Sequence, residues 1–525
     1  MRLPPCLIRA RLHLLLIALA ALAYSNSPLG EYCYDDTYLI RDCKTIESWA
    51  GLAKLLSRDF GPAFGDLHYR PVAPLTFFVD AIVFGKKPFY SRFMNIGLHL
   101  AVGLALFGLW RFVFRRDDLA FLAAAIFLCH PIATEVVNSP GFRKDLLSTL
   151  FMVCSLRMIC GAVKHGSRGK AAAAAVLWFF ALLAKEPAFM AVLLAPVLLL
   201  PDSGPRADAP RRRAPGWTAV VLCFAVVFAA YVILYVSLRY ASFEGSWPGG
   251  RGPFLAFLNF CRTFLVYARL WLVPLGLSIG HDFHASTSYG DWRLWAGAVA
   301  FGAFAVGSLA LLVRRRGPTG VGGAWACVCF APTFQLLPTP QLLAERYVYA
   351  PHAGLALLAA SLLLARRDAG RCPFFASEEH PAGKTGGRAR GWKSCLTPAH
   401  GAALLLAAYT VLTFLRNRDW SDDVTLNISR YEKWDSAEGR AAVGALYYTK
   451  GRMDKAEASL REAIAMEPAR ADAHRSLGVV LMARGELDQA RRHLARALEL
   501  DPGDEVARGL IHSLSVREPE GASSP

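Results

Sequence analysis

Apolar runs long enough to cross a bilayer recur along most of this chain, and they constrain its fold more than any other feature. They lie near 9–25, 93–114, 119–137, 145–163, 171–184, 187–200, 217–240, 254–275, 292–313, 321–338, 347–365 and 399–416. A helix needs about 20 apolar residues to span the hydrocarbon. Inside it, only helices and closed barrels satisfy every backbone polar group. The runs are continuous rather than alternating, so they predict helices. The chain is 54% hydrophobic and only 19% charged, which a soluble protein of this length would not be. Its net charge of +17 sits mostly in short connections between apolar runs. That is the positive-inside pattern, and no basic face alternates with exposed aromatics as a nucleic-acid surface would require.

The basic connections set the orientation. Arg2, Arg9 and Arg11 place the N-terminus in the cytoplasm and precede a first run that resembles a signal peptide. Without a small-residue cleavage site, it reads as a retained helix. Arg115-Arg116, Lys164 to Lys170, Arg211-Arg212-Arg213, Arg314-Arg315-Arg316 and the segment from Arg366 to Lys393 are expected on the same side. Arg314 to Arg316 would emerge on the far side if every run crossed. The conflict disappears if 254–275 lies at the interface or dips in and out, and Asn259, Arg262, Arg269 and Pro274 suit it to that. Eleven crossings result, with 254–291 as the interfacial or re-entrant segment.

This topology gathers the unusual residues on the non-cytoplasmic face. The first loop, 25–92, carries Asp35 and Asp36 among three tyrosines. Adjacent carboxylates resist double ionisation, so one becomes a better base. Helix capping and plain solvation are the structural alternatives. Further along the loop, Ile46, Trp49, Leu52, Leu55 and Leu56 recur at helical spacing and predict an amphipathic surface helix. Arg70 comes next, in Tyr69-Arg70-Pro71; it either binds an anion such as phosphate or snorkels to the interface. His130 and Glu135 interrupt an apolar run and must face the bundle interior, ahead of Arg143, Lys144 and Asp145. Lys185-Glu186-Pro187 is either a tight turn or a cation and an acid pointing into a cavity, and Glu345-Arg346-Tyr347 poses the same choice.

Cys33 and Cys43 flank the acidic pair; they would pair in an oxidising lumen and otherwise remain free thiols. Asn427-Ile428-Ser429 is a glycosylation sequon on the expected lumenal side.

Beyond residue 416 charges become dense and the apolar residues periodic. Gly444 and Gly478, Ala456 and Ala490, Ala463 and Ala497, and Pro468 and Pro502 mark a repeating unit of tetratricopeptide type. The repeats span 437–470 and 471–504, with a partial capping helix to 515. A linker at 417–436 precedes them, and a disordered tail at 516–525 ends the chain. A short solenoid of this kind either binds peptide segments in its concave groove or acts as a spacer.

Several stretches resemble, in order, the TMTC-type O-mannosyltransferases. They are Tyr34-Asp35-Asp36, Tyr69-Arg70-Pro71, Asn95 to His99, His130 to Glu135, Gly141 to Asp145, Ala184 to Glu186, Glu345 to Tyr347 with Tyr349-Ala350-Pro351, and Arg418-Asp419-Trp420 leading into the repeats. The chain departs from the family in having only two clear repeats and in reading Phe142-Arg143-Lys144-Asp145. The resemblance implies an all-α class, a polytopic GT-C-like membrane bundle (1–416) followed by a short repeat solenoid. It implies transfer of mannose from a polyprenyl (dolichyl) phosphate to Ser or Thr hydroxyls of proteins, which the repeats guide. In that scheme Asp35 or Asp36 is the base, with Asp35 favoured and Asp36 then positioning it. Arg70, Arg143, Lys185 and Arg346 bind the donor phosphate, supported by His130, Glu135, Asp145, Glu186 and Glu345. No metal or other cofactor is required, since the cations supply the electrostatics. The rivals are a bacterial enzyme of the same helix plan acting on an envelope lipid or glycan, and a non-enzymatic scaffold or transporter. A transporter should show internally repeated helices, and none is visible here.

The topology carries a direct check. Single cysteines at residue 35 and in the repeats should react with a membrane-impermeant maleimide from the same, non-cytoplasmic face. Labelling from opposite faces would rule out the scheme.

Overall fold

The computed structural model describes residues 5–57, 69–200, 215–237, 252–315, 317–334, 341–369 and 398–516. Arg2, His68, Arg211-Arg212-Arg213, Arg316, the basic stretch 370–393 and the tail from 517 lie outside the described residues. The chain divides into two units. One comprises 1–277 with 284–420, the other 278–283 with 421–525. Every element of either unit is helical among the described residues.

In the first unit the helices are α1 (Pro5–Ala23), α2 (Trp49–Leu55), α3 (Val72–Phe84), α4 (Pro88–Phe114), α5 (Asp117–Cys129), α6 (Thr134–Asn138), α7 (Arg143–His165), α8 (Arg168–Ala184), α9 (Met190–Leu199), α10 (Pro215–Ser237), α11 (Pro253–Leu272), α12 (Trp292–Arg315), α13 (Pro318–Phe330), α14 (Tyr349–Ala369) and α15 (Pro398–Asn417). Where described, the apolar runs of the sequence are helical, though the run 119–137 is broken. Seven of the described helices are long and apolar enough to cross a membrane, or eight if the bent pair of α5 with the segment Pro131–Asn138 is one span. By length and composition α11 is among the seven; its interfacial placement remains a proposal. Close approach depends on small residues, as expected where lipid offers no hydrophobic drive. A Cβ on Gly322 of α13 would stand 2.6 Å from the carbonyl of Gly354 on α14, and the reverse distance is 2.5 Å.

The run 119–137, expected as one helix, is broken. Pro131 has no N–H to give, and the chain bends by 53° between α5 and the segment that contains α6. A broken helix leaves carbonyls without partners, which is costly in a buried setting. Side chains of other helices supply the donors. His352 of α14 binds Phe127 O through Nε2 at 3.2 Å, and His99 of α4 binds Leu128 O through Nε2 at 3.3 Å. Thr413 of α15 donates Oγ1–H to Cys129 O at 2.7 Å. Only Ile126 O is capped by the local backbone, through His130 N.

The amphipathic helix expected in the first loop is the short α2. Ser48 Oγ caps it by accepting from Gly51 N at 3.1 Å. Leu55 and the preceding Ile46 are buried, while Trp49 stays exposed with its ring 5.2 Å from that of Phe78 on α3. Helix α3 itself has no counterpart among the expected spans.

The second unit holds α16 (Asp423–Tyr431), α17 (Ala437–Thr449), α18 (Met453–Met466), α19 (Ala471–Arg484), α20 (Leu487–Leu500) and α21 (Glu505–Val516). From α17 on they form two helix pairs followed by an extra helix. A Cβ on Gly444 would stand 2.5 Å from Leu460 Cγ, and one on the equivalent Gly478 would stand 2.6 Å from Leu494 Cγ. The expected linker is largely helical. Asp422 caps α16 from Thr425 N at 2.9 Å and pairs with Lys450 at 2.8 Å. Residues 278–283 join this unit, where Trp434 Nε1 donates to Gly280 O at 3.1 Å.

Removing one donor at the break should be felt across the bundle. Thr413→Val leaves the Cys129 carbonyl unpaired and is expected to cost about 1–3 kcal/mol, read as a lower thermal midpoint in detergent. Thr413→Ser, which keeps the hydroxyl, should be near neutral.

Candidate active site

The site is built on the segment released by the break, 130–145, and on the loop after α1. Tyr34 adopts the left-handed region (φ +57°), which turns the chain into the short helical stretch that carries Asp35 and Asp36. Asp36 is fully buried, and its side chain does not cap the turn beyond it. Its Oδ1 accepts from Ser139 Oγ and from Gly141 N, each at 2.6 Å. Gly141 must be small, because a Cβ there would sit 3.0 Å from Asp36 Oδ1 and 3.2 Å from Asp35 Cβ. Burial pushes Asp36 up to about 6, against the pull of the Ser139 and Gly141 hydrogen bonds and the charge of Arg92. Asp35 is half-buried. Burial raises it as well, opposed by the charges of Arg346 and Lys144 and by the Tyr38 hydroxyl.

Three cation–carboxylate pairs surround this loop's partners, all linking elements distant in sequence. Arg346 donates Nη1–H to Glu135 Oε1 at 2.5 Å and its backbone N–H to Glu135 Oε2 at 2.8 Å. Lys185 Nζ lies 2.6 Å from Asp145 Oδ1. Arg70 grips Glu186, with Nη2 2.6 Å from Oε2. The cations retain 12–15% of their side-chain surface, whereas Glu135 is fully enclosed. Tyr347 joins two of the pairs, with Arg346 Cζ 5.2 Å and Lys185 Nζ 5.9 Å from its ring centre. Phe142, next to Gly141, carries Arg346 on its ring at 4.6 Å. The turn at 185–187 is a tight turn whose two charges are each paired, Lys185 with Asp145 and Glu186 with Arg70. Beside Lys185 and Asp145 a small cavity is lined by Ser148, Thr149, Met152 and Cys329. Glu345 is buried within the field of Glu135. Among the described residues no three His, Cys, Asp or Glu side chains converge to hold a metal ion.

Two of the expected site residues do other work. Arg143 is fully buried, and all its nitrogens donate within the protein. Nε binds Asn95 Oδ1 (2.8 Å), Nη1 binds Thr76 Oγ1 (2.9 Å), and Nη2 binds Asp80 Oδ2 (2.7 Å) and Ser91 O (2.9 Å). Its charge is met by Asp80 inside the protein, and it braces the loop ends. His130 belongs to the aromatic packing, stacked 5.3 Å from Trp271 with Nε2 on Trp271 O at 2.8 Å. Its Nδ1 accepts from Ile132 N at 3.1 Å. Cys33 and Cys43 are not joined to each other in a disulfide.

Asp80, Ser91, Arg92 and Ser139 were not expected. Asp80 is a lone acid in the apolar stretch Phe77 to Phe84, and that isolation was a readable signal. Arg92 looks in sequence like the flank of a membrane run, and nothing local separates it from one.

Residues 447–514 match the family model described as tetratricopeptide repeat. Protein O-mannosyl-transferase TMTC1 of Homo sapiens is 33% identical over 176 residues, which is 32% of this chain and 20% of that protein. A protein O-mannosyl-transferase of Caenorhabditis elegans is 23% identical over 361 residues, 66% of this chain and 50% of the relative. Protein O-mannosyl-transferase TMTC4 of Homo sapiens is 27% identical over 170 residues, 29% of this chain and 23% of its own. The matched stretches thus span 20% to 50% of the length of these relatives.

The raised value at Asp36 makes a signed forecast. A carboxyl that binds its proton more tightly when folded stabilises the fold at low pH. That contribution is complete below the unfolded value near 4 and is lost as the pH rises through about 6. Between pH 4 and pH 7, wild type should therefore lose about 2 kcal/mol relative to Asp36→Asn. Thermal midpoints of the two proteins across that range measure it.

Proposed function

With the chain taken as a TMTC-type protein carrying tetratricopeptide repeats, we propose that it transfers mannose from a polyprenyl (dolichyl) phosphate to Ser or Thr hydroxyls of proteins. The reaction takes place on the lumenal face of the endoplasmic reticulum membrane. The observation that carries this reading is a half-buried carboxylate, Asp35, set over a buried one and facing the charge of Arg346. Arg346 is in turn linked through Tyr347 to Lys185.

Asp35 is the base. The acceptor hydroxyl gives its proton to the Asp35 carboxylate, and the hydroxyl oxygen bonds to C1 of the sugar. The C1–O bond to the lipid phosphate breaks as the phosphate takes the electron pair. Attack opposite the leaving group inverts the configuration. Asp35 then returns its proton to solvent. A raised carboxyl is the stronger base, so burial serves the step. Asp36, held by Ser139 and Gly141, fixes the loop. Arg346, Lys185 and Arg70 meet the charge that grows on the departing phosphate. Their carboxylate partners Glu135, Asp145 and Glu186 hold them in place. Arg143 takes a positioning part, since its nitrogens are engaged. The lipid tail lies among the apolar helices, and the repeats present the polypeptide.

Asp35→Asn should lower kcat about 10²–10⁴-fold with little change in donor KM. The assay is transfer from dolichyl phosphate mannose to a Ser/Thr-rich peptide by purified full-length protein. Full activity of that variant would remove Asp35 from the base role. Transfer to a lipid or glycan acceptor alone would favour an envelope enzyme.

A further inference from the structure

Arg92 stands in the second turn of α4 and is fully buried. Burying a guanidinium is costly, and it is usually offset by a carboxylate in contact. Here the hydrogen bonds of Arg92 go to main-chain carbonyls and a sulfur. Nη1 donates to Ser27 O at 3.2 Å. Nη2 donates to Glu31 O, to Trp420 O at 2.7 Å and to Cys33 Sγ at 3.4 Å. Ser27, Glu31 and Cys33 belong to the loop that leads into Asp35 and Asp36. Trp420 is the last residue of the membrane unit, in the turn after α15.

The packing around the guanidinium is built to admit it. A Cβ on Gly30 would overlap Arg92 Nη1 and would come within 2.7 Å of Trp420 O, so this position has to lack a side chain. Cys33 Sγ also lies 3.9 Å from Trp420 O. A neutral donor could bind carbonyls too, so the hydrogen bonds alone do not explain a full positive charge here. Its field on buried Asp36 gives the charge a use: Arg92 opposes the desolvation that favours protonated Asp36, alongside Ser139 and Gly141.

We propose that Arg92 is a positioning residue for the transfer step: one guanidinium ties the aspartate-bearing loop to the carbonyl of Trp420 and so fixes where the base stands. The proposal rests on the reading of Asp35 as the base. Arg92 touches neither reacting atom; it acts through the loop and through its charge.

The test compares Arg92→Gln and Arg92→Lys in the full-length protein, with dolichyl phosphate mannose and a Ser/Thr-rich peptide across pH. Arg92→Gln is expected to lower kcat about tenfold or more with donor KM within about twofold. It should also move upward the limb of the pH profile that reports Asp36, because a positive charge acting on that carboxyl is gone. Arg92→Lys keeps the charge and should restore the limb, but not the full kcat, since an ammonium lacks the planar fork. Wild-type kcat and an unmoved limb in Arg92→Gln would overturn the proposal. Equal losses in both variants with unmoved limbs would reduce Arg92 to a packing role. If the Gln variant does not fold, the Lys variant decides on the split between kcat and KM: reduced kcat with donor KM within about twofold supports the proposal, and wild-type kcat or a loss carried by KM overturns it. Asp35→Asn, run in parallel, separates the two readings. Its full activity would remove the base assignment whatever the Arg92 variants do.

Discussion

The membrane unit is organised by a helix that stops inside the bundle. Pro131 ends α5, and the carbonyls left over are taken up by His352, His99 and Thr413 from three other helices. Neutral imidazoles suit this task because each carries one N–H to give and one lone pair to spare. The second nitrogen of His352 accepts from Trp271 Nε1 at 2.8 Å, and His99 Nδ1 meets Tyr349 Oη at 2.9 Å. The break is therefore a fixed joint, over-determined by long-range hydrogen bonds, rather than a flexible hinge.

The segment on the C-terminal side of the joint is the site's frame. Within fifteen residues the chain presents Glu135 to Arg346, Ser139 and Gly141 to Asp36, Arg143 to Asp80 and Asn95, and Asp145 to Lys185. A continuous helix would send these side chains around a cylinder at 100° intervals. The bend and the turn Pro140–Phe142 line them along one route. Asn138 extends it, taking Ser27 Oγ–H at 2.6 Å and donating to Asn417 at 2.8 Å. The loop after α1 and the end of α15 are thereby drawn to the same segment.

Four of the cations pair with carboxylates across the bundle, whereas buried Arg92 and Asp36 are held by neutral groups. Arg143 with Asp80 is nearly closed to solvent, and such a pair is retained for geometry more than for stability. The three pairs at Arg346, Lys185 and Arg70 are less enclosed on the cation side. A departing phosphate would draw on that open side. The difference in exposure separates enclosed Arg143 from the three cations that keep an open side, although all are arginines or lysines in similar-looking motifs.

Much of this was legible in the amino-acid order. Continuous apolar runs dictate helices because backbone groups have no other partner in hydrocarbon. A repeat marked by Gly444 and Gly478 dictates paired helices because only a missing side chain lets Leu460 and Leu494 approach. The aspartate pair, Glu135, Lys185, Glu186 and Arg346 stood out because ionisable groups amid apolar residues are rare. Local order could not say which cation faces which acid, since those pairings join residues up to 211 positions apart. Nor could it tell that Arg143 is enclosed while Arg346 is not, or that Arg92 is a buried clamp rather than a membrane flank. Burial and partner are properties of the packed bundle, and only the tertiary structure, through the joint at Pro131, decided them.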